Sequence, residues 1–223
     1  MALRFVELLK EKANISWSQL GISGSILVGL HTSASDIDPV VYGSKNCYRV
    51  YFALKSLLED KKSLVKPYSL DGLRKLFDFR SKDTATSFED FVRTESRKVM
   101  QGTFMGRDYF LRFVKDWNEV EEEYGTVRYK SVGYARIKAT VIDDSEMIFT
   151  PCCYKIEDVK FLDGTRVESI EEIVSFRGRF CEQARNGETV VAQGKVERVQ
   201  KLGEREHYRL LLGNKTSDHM ILV

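Results

Sequence analysis

Two carboxylates separated by a single apolar residue, Asp36-Ile37-Asp38, follow the pair Gly24-Ser25 by ten residues in the segment GISGSILVGLHTSASDID. No other feature constrains the fold as tightly. Side-chain direction repeats every two residues along a strand, so both acids project from one face while Ile37 projects from the other. The acids, held side by side with like charge, call for a cation, and a hard divalent metal accepts carboxylate oxygens while keeping positions open for water and phosphate.

The flanking residues fit such a site. Ser23 or Ser25 can cap a turn formed by SILVGL, and Gly24 lets a phosphate approach the backbone at a helix N-terminus. Residues 36–42 read as a short strand ended by Gly43, with Asp36, Asp38, Val40 and Tyr42 on one face. On these residues, the stretch 14–60 resembles the DNA polymerase beta-like nucleotidyltransferase superfamily, in an archaeal-type branch. Its pattern is a hydrophobic residue, Gly, Gly or Ser, a spacer of about ten, then acid-hydrophobic-acid.

The resemblance implies that Gly24 and Ser25 bind the nucleoside triphosphate. Asp36 and Asp38 would then be the catalytic, metal-binding acids for Mg²⁺ or Mn²⁺. The reaction implied is transfer of a nucleoside monophosphate from the triphosphate to an acceptor hydroxyl, with RNA open as acceptor or ligand. Two departures stand against it. Pro39 replaces the usual aliphatic residue and cannot donate a ladder hydrogen bond. The third carboxylate of active members also has no evident equivalent. The best downstream strand, 134–142, carries Lys138 where an acid is wanted, leaving Asp143 as first choice and Asp144, Glu146 and Asp71 as others. The alternative reading is a catalytically silent nucleotidyltransferase fold that serves as a nucleotide- or RNA-binding module.

Length and composition suffice for one large or two small domains: 223 residues, 43% hydrophobic and 30% charged. No apolar run reaches the roughly 18 residues of a membrane span, and MALRFVELLKEK carries charges inside its apolar pattern, so a soluble cytoplasmic protein without membrane contact is expected. Cys47, Cys152, Cys153 and Cys181 lack metal-ligand spacing and read as reduced thiols, the adjacent pair pointing to opposite faces of a strand. His31 and Lys45 lie near the motif and read either as phosphate contacts or as ordinary loop and surface residues.

Periodicity divides the chain in character near residue 100. Before it come helices: one with Phe5, Leu8 and Leu9, one capped by Asn46 with Cys47, Tyr51, Leu54 and Leu58, one opened by Ser69, and one whose Ser87-Phe-Glu-Asp90 resembles a capping box. After it, residues 107–113, 132–142, 152–156, 159–161, 189–199 and 208–212 alternate as strands. Gly203 joins the last two in a hairpin that resembles part of a small barrel of the oligonucleotide-binding type.

The expected fold is therefore α+β: a small nucleotidyltransferase-type mixed sheet with helices, then a mainly β domain. Strand 132–142 would complete the catalytic sheet, so the division is set at 1–145 and 146–223. The acidic run 116–123 reads as a solvated linker. Residues 61–112 hold twelve Lys or Arg against seven Asp or Glu. Their interleaving with aromatics suits either single-stranded nucleic acid or an ordinary core fringed by cations.

Overall fold

Residues 1–82, 85–120 and 122–223 are described by a computed structural model. Packing divides the chain into two units, Met1–Ser69 with Ser96–Val120 and Leu70–Glu95 with Glu121–Val223. The architecture is α+β. The boundary expected at residue 145 falls within one continuous strand, Val127–Glu146.

In chain order the first unit comprises α1 (Ala2–Ala13), β1 (Leu20–Ile22), α2 (Gly24–Leu27), β2 (Pro39–Tyr42), α3 (Ser44–Glu59), β3 (Val65–Lys66), β4 (Gln101–Phe104), β5 (Arg107–Phe110) and β6 (Arg112–Val114). Apolar residues at three- and four-residue steps give α1 a stripe of Phe5, Val6, Leu9 and Ala13, and α3 one of Cys47, Val50, Tyr51, Leu54 and Leu57. Leu57 takes the place expected of Leu58, and α1 packs on α3. Two three-stranded sheets are formed, β1-β2-β6 and β3-β4-β5. In the first, β1 runs antiparallel and β6 parallel to β2. A single parallel bridge between Ile37 and Tyr109 ties the approach to β2 onto β5. Beneath it Phe5 stacks on Phe104 at 4.9 Å and tilts against Tyr109 at 4.8 Å.

The acidic run has a structural task at α3. Gly43 enters the helix with φ +83°, a conformation glycine adopts without a Cβ penalty. The first backbone N–H groups of a helix have no intrahelical acceptor. Ser44 N donates to both carboxylate oxygens of Glu119, at 3.1 and 2.9 Å, and Asp116 N donates to Oε2 at 2.8 Å. The Ser44 backbone donor, ahead of smaller contributions, holds the Glu119 carboxyl below its ordinary range. Glu121, part of the same run, lies outside the described residues.

The second unit begins with α4 (Leu70–Arg80) and α5 (Phe88–Glu95). Ser87 caps α5 as its sequence suggests, with Asp90 N donating to Ser87 Oγ at 3.1 Å and Ser87 Oγ donating to Asp90 Oδ2 at 2.7 Å. The helices are joined by Phe77 packing edge-on against Phe88 and Phe91, each at 5.3 Å, and by an ion pair of 2.6 Å between Arg80 and the buried Glu95. Six strands follow: β7 (Val127–Glu146), β8 (Cys152–Gly164), β9 (Glu172–Ser175), β10 (Thr189–Lys201), β11 (His207–Leu212) and β12 (His219–Leu222). Their order is β11-β9-β8-β7-β10-β12. The two halves of one edge of β10 pair differently, Val190–Gln193 with β12 and Lys195–Val199 with β11. The β10–β11 pairing joins the ends of the row β11-β9-β8-β7-β10, so five strands close a ring of hydrogen bonding. Consequently Val190 and Ala192 lie opposite Leu222 and Met220, while Val196 faces β11, opposite Leu210.

Sequence reading differs from structure at two places in this sheet. Residues 132–142 are the middle of β7, at the centre of the six-stranded sheet, and not a strand of the sheet that carries Asp36 and Asp38. The separate strands 152–156 and 159–161 are one strand, because Asp158 adopts φ +52° and absorbs an irregularity in register. Cys152 is buried and Cys153 half-buried, on opposite faces, and all four cysteines are free. On the outer face, Glu197, Arg209, Glu172 and Lys155 occupy register-matched positions of alternating charge. Arg209 bonds Glu197 at 2.8 Å, and Lys155 bonds Glu172 at 2.6 Å.

Candidate functional site

The first unit gathers the residues singled out in the sequence. Asp36 and Asp38 flank Ile37, which is fully buried; removing such a side chain from water contributes about 1.5–3 kcal/mol. Ile37 N donates to Asp108 O at 2.9 Å, and Phe110 N donates to Ile37 O at 3.0 Å. With Ile37 drawn inward by burial and by these bonds, both acids are directed to the opposite, open face. Asp36 is exposed and Asp38 half-buried.

Pro39 shapes this segment as its chemistry requires. The ladder of β2 begins at Pro39, not at Asp36 as expected, because proline contributes no N–H and is accommodated as the first residue of a strand. Before it, Asp38 O takes two donors from the preceding loop, Ser23 N at 2.8 Å and Ser23 Oγ at 3.2 Å. Ser23 thus caps α2 by backbone position alone and spends its hydroxyl on Asp38. The helix is a single turn, shorter than the SILVGL turn expected.

Gly24 has φ +65° and lies directly against the second acid. A Cβ at this position would stand 2.2 Å from Asp38 Oδ2 and 3.1 Å from its Cγ. Only glycine leaves that space. Ser25 follows within the same turn, half-buried, its carbonyl accepting from Leu30 N at 2.9 Å.

Burial raises the Asp38 carboxyl above its ordinary value, and the neighbouring charge of Asp36 raises it further, while Arg112 works in the opposite direction. Arg112 comes from β6, whose register places it beside Val40, on the face of Asp38. The anionic pair therefore shares its face with one guanidinium. Arg107 Nη1 donates to Ser35 O at 2.8 Å and holds the loop that delivers Asp36.

The sequence reading missed Asp108. The bridge pairs Ile37 with Tyr109, both buried, so the alternation on β5 turns Asp108 to the face of Asp36 and Asp38, and the register sets it beside Asp36. The acids considered beforehand lie elsewhere: Asp71, Asp143, Asp144 and Glu146 all belong to the second unit. Asp143 accepts from Ser145 N at 2.8 Å, a bond that keeps its carboxyl below the ordinary range at the exposed end of β7. His31 is exposed in the loop after α2, and Lys45 is exposed on the first turn of α3.

The donor set suits a hard cation that is shared with substrate. Among the described residues no three His, Cys, Asp or Glu side chains gather into a ready metal cage. Mg²⁺ is commonly held by one or two carboxylates together with phosphate oxygens and water rather than by an all-protein cage. Asp36 and Asp38 supply two such carboxylates, and that of Asp38 packs directly against Gly24.

Comparison with known proteins adds one relative. The chain is 37% identical over 211 residues to an uncharacterized protein of Methanocaldococcus jannaschii, MJ1086. The alignment covers 94% of this chain and 59% of the relative, so the chain spans under two thirds of that protein's length. No family model matches, and no solved structure matches. Among the described residues no helix is long and apolar enough to cross a membrane.

Proposed function

We propose that the first unit is a metal-dependent nucleotidyltransferase, which transfers a nucleoside monophosphate from a nucleoside triphosphate to an acceptor hydroxyl. One observation carries the reading: the glycine of the Gly24-Ser25 pair lies against the second acid of the Asp36-Ile37-Asp38 motif, with no room for a side chain between them. A polyphosphate accommodated at Gly24 would therefore be adjacent to both carboxylates, an arrangement that favours reaction by positioning and charge neutralisation.

Asp36 and Asp38 would hold the ion, and Mg²⁺ or Mn²⁺ bound there would neutralise phosphate charge. Gly24 and Ser25 would receive the β- and γ-phosphates through backbone N–H and hydroxyl donors. Asp108, beside Asp36 on the neighbouring strand, is the residue best situated to accept the proton of the acceptor hydroxyl. The four free thiols suit a reducing, cytoplasmic setting.

The test is incorporation of label from α-labelled triphosphates in Mg²⁺, for the wild type and for Asp36→Ala, Asp38→Ala and Asp108→Asn. Incorporation that requires metal and is abolished by each change supports the reading. Triphosphate binding that persists without metal, with no incorporation in any variant, would replace it with the silent nucleotide- or RNA-binding module.

A further inference from the structure

The cations of the six-stranded sheet fall into two groups. Lys155, Lys195, Arg198, Lys201, Arg205 and Arg209 are each ion-paired with a glutamate. Arg128, Lys130, Arg136, Lys138 and Lys160 form no ion pair among the described residues, and the last three lie close together. These three share one face of β7 and β8.

Two of the three are placed unfavourably with respect to each other. Lys138 and Lys160 are directly opposite in the β7–β8 ladder, and like charges in that relation destabilise a sheet. Beside them Asp158, a non-glycine residue at φ +52°, forms a bulge that opens the surface. The resulting concavity, ≈ 510 Å³, is lined by Lys138, Thr140, Asp158, Val159, Lys160 and Thr189 among others. Thr140 and Thr189 are themselves register partners, so two hydroxyls lie together next to the two ammonium groups.

We propose that this face of β7 and β8 binds the phosphodiester backbone of a single-stranded polynucleotide. Lys138 and Lys160 would contact one phosphate, with the threonine hydroxyls as further donors, and Arg136 the next. A polymer fits better than a small anion because the concavity is open and the cations continue along the strand: Arg136 and Lys138 point the same way about 6.8 Å apart. The acids at its borders, Glu157 opposite Thr140, Asp158 in the bulge and Asp163 opposite Arg136, confine the cationic strip to one lane.

The proposal stands apart from the reading of Asp36 and Asp38, so binding is measured with EDTA and without triphosphate. Anisotropy of labelled single-stranded RNA and DNA oligonucleotides is titrated over a salt series, with polyglutamate as competitor. Each phosphate neutralised on a single strand contributes about −0.7 to the slope of log K against log salt. Since Lys138 and Lys160 contact one phosphate, Lys138→Ala with Lys160→Ala lowers that slope by about 0.7. Affinity at low salt falls about tenfold, while Arg205→Ala, which removes a cation paired with Glu171, changes neither. The double Gln variant, with a melting temperature at or above that of the wild type, guards against loss of fold. Absence of wild-type binding overturns the proposal, as do an unaltered slope in both double variants, an equal loss in Arg205→Ala, or equal competition by polyglutamate.

Discussion

Replacing Gly24 by alanine separates backbone strain from the contact with Asp38. A non-glycine residue in the left-handed region costs about 1–2 kcal/mol. The new methyl would also meet Asp38 Oδ2 at 2.2 Å and Cγ at 3.1 Å, forcing that carboxylate off its rotamer for about 0.5–1.5 kcal/mol more. The sum, about 1.5–3.5 kcal/mol, corresponds to a fall in melting temperature of about 3–14 °C for a chain of this size. Gly29→Ala is the matched control, because Gly29 has φ +70° but nothing within 4 Å of the added Cβ. It should lose the strain contribution alone, about 1–2 kcal/mol. Scanning calorimetry reads the stability difference, and titration with a non-hydrolysable triphosphate in Mg²⁺ reads the function. Gly24→Ala should lose at least about tenfold in affinity, equivalent to roughly 1.4 kcal/mol, and Gly29→Ala little. Equal melting and equal binding in the two variants would refute the idea that Gly24 makes room for Asp38 and a phosphate together.

Three further outcomes are expected. Asp38 titrates above its ordinary value, so its ionisation opposes folding and stability is lost as pH rises from about 3.8 through the raised value. Asp38→Asn should match the wild type below that window and melt higher above it. Glu172 and Glu197 behave oppositely. Burial disfavours their charge, but Lys155 outweighs it at Glu172, and Lys195 with Arg209 outweighs it at Glu197, leaving both below the ordinary value of 4.5. Their contribution is complete above about pH 4.5 and disappears as pH falls through the depressed values, so acid denaturation of the double Gln variant should be less steep than that of the wild type. Tyr154→Phe removes a buried hydroxyl that donates to Phe180 O at 2.6 Å and accepts from Gln183 N at 2.9 Å. A loss of about 1–3 kcal/mol should appear as a lower urea midpoint at constant m-value.

What could be read in advance was local. The stripes of α1 and α3, the Ser87 cap and the Gly203 hairpin each rest on neighbouring residues, and each is found in the structure. The nearness of Gly24 to Asp38 was legible for the same reason, their spacing lying within one loop and its flanks. Asp108 was not. Its alignment depends on a single bridge between Ile37 and Tyr109, residues far apart in the chain, and β5 is too short for its alternation to announce a site. The search for a third acid went instead to the longest alternating segment, β7, whose pairing with β8 and β10 no local pattern discloses. Membership of α4 and α5 in the second unit was hidden likewise, since their apolar stripes reveal a buried face without revealing what buries it.

The discontinuous make-up of both units has a practical consequence for dissecting this chain. No single cut frees either unit whole. Expressing residues 1–145 would strand β7 without β8 and β10, the two neighbours that satisfy its backbone on either side. A self-sufficient first unit would require Ser69 to be spliced onto Ser96 with the intervening helices removed, and the complementary fragment would need those helices spliced ahead of β7. Truncation from the C-terminus would dismantle the second unit first while every residue of the first remains present, and only internal deletion can separate the first unit from α4 and α5.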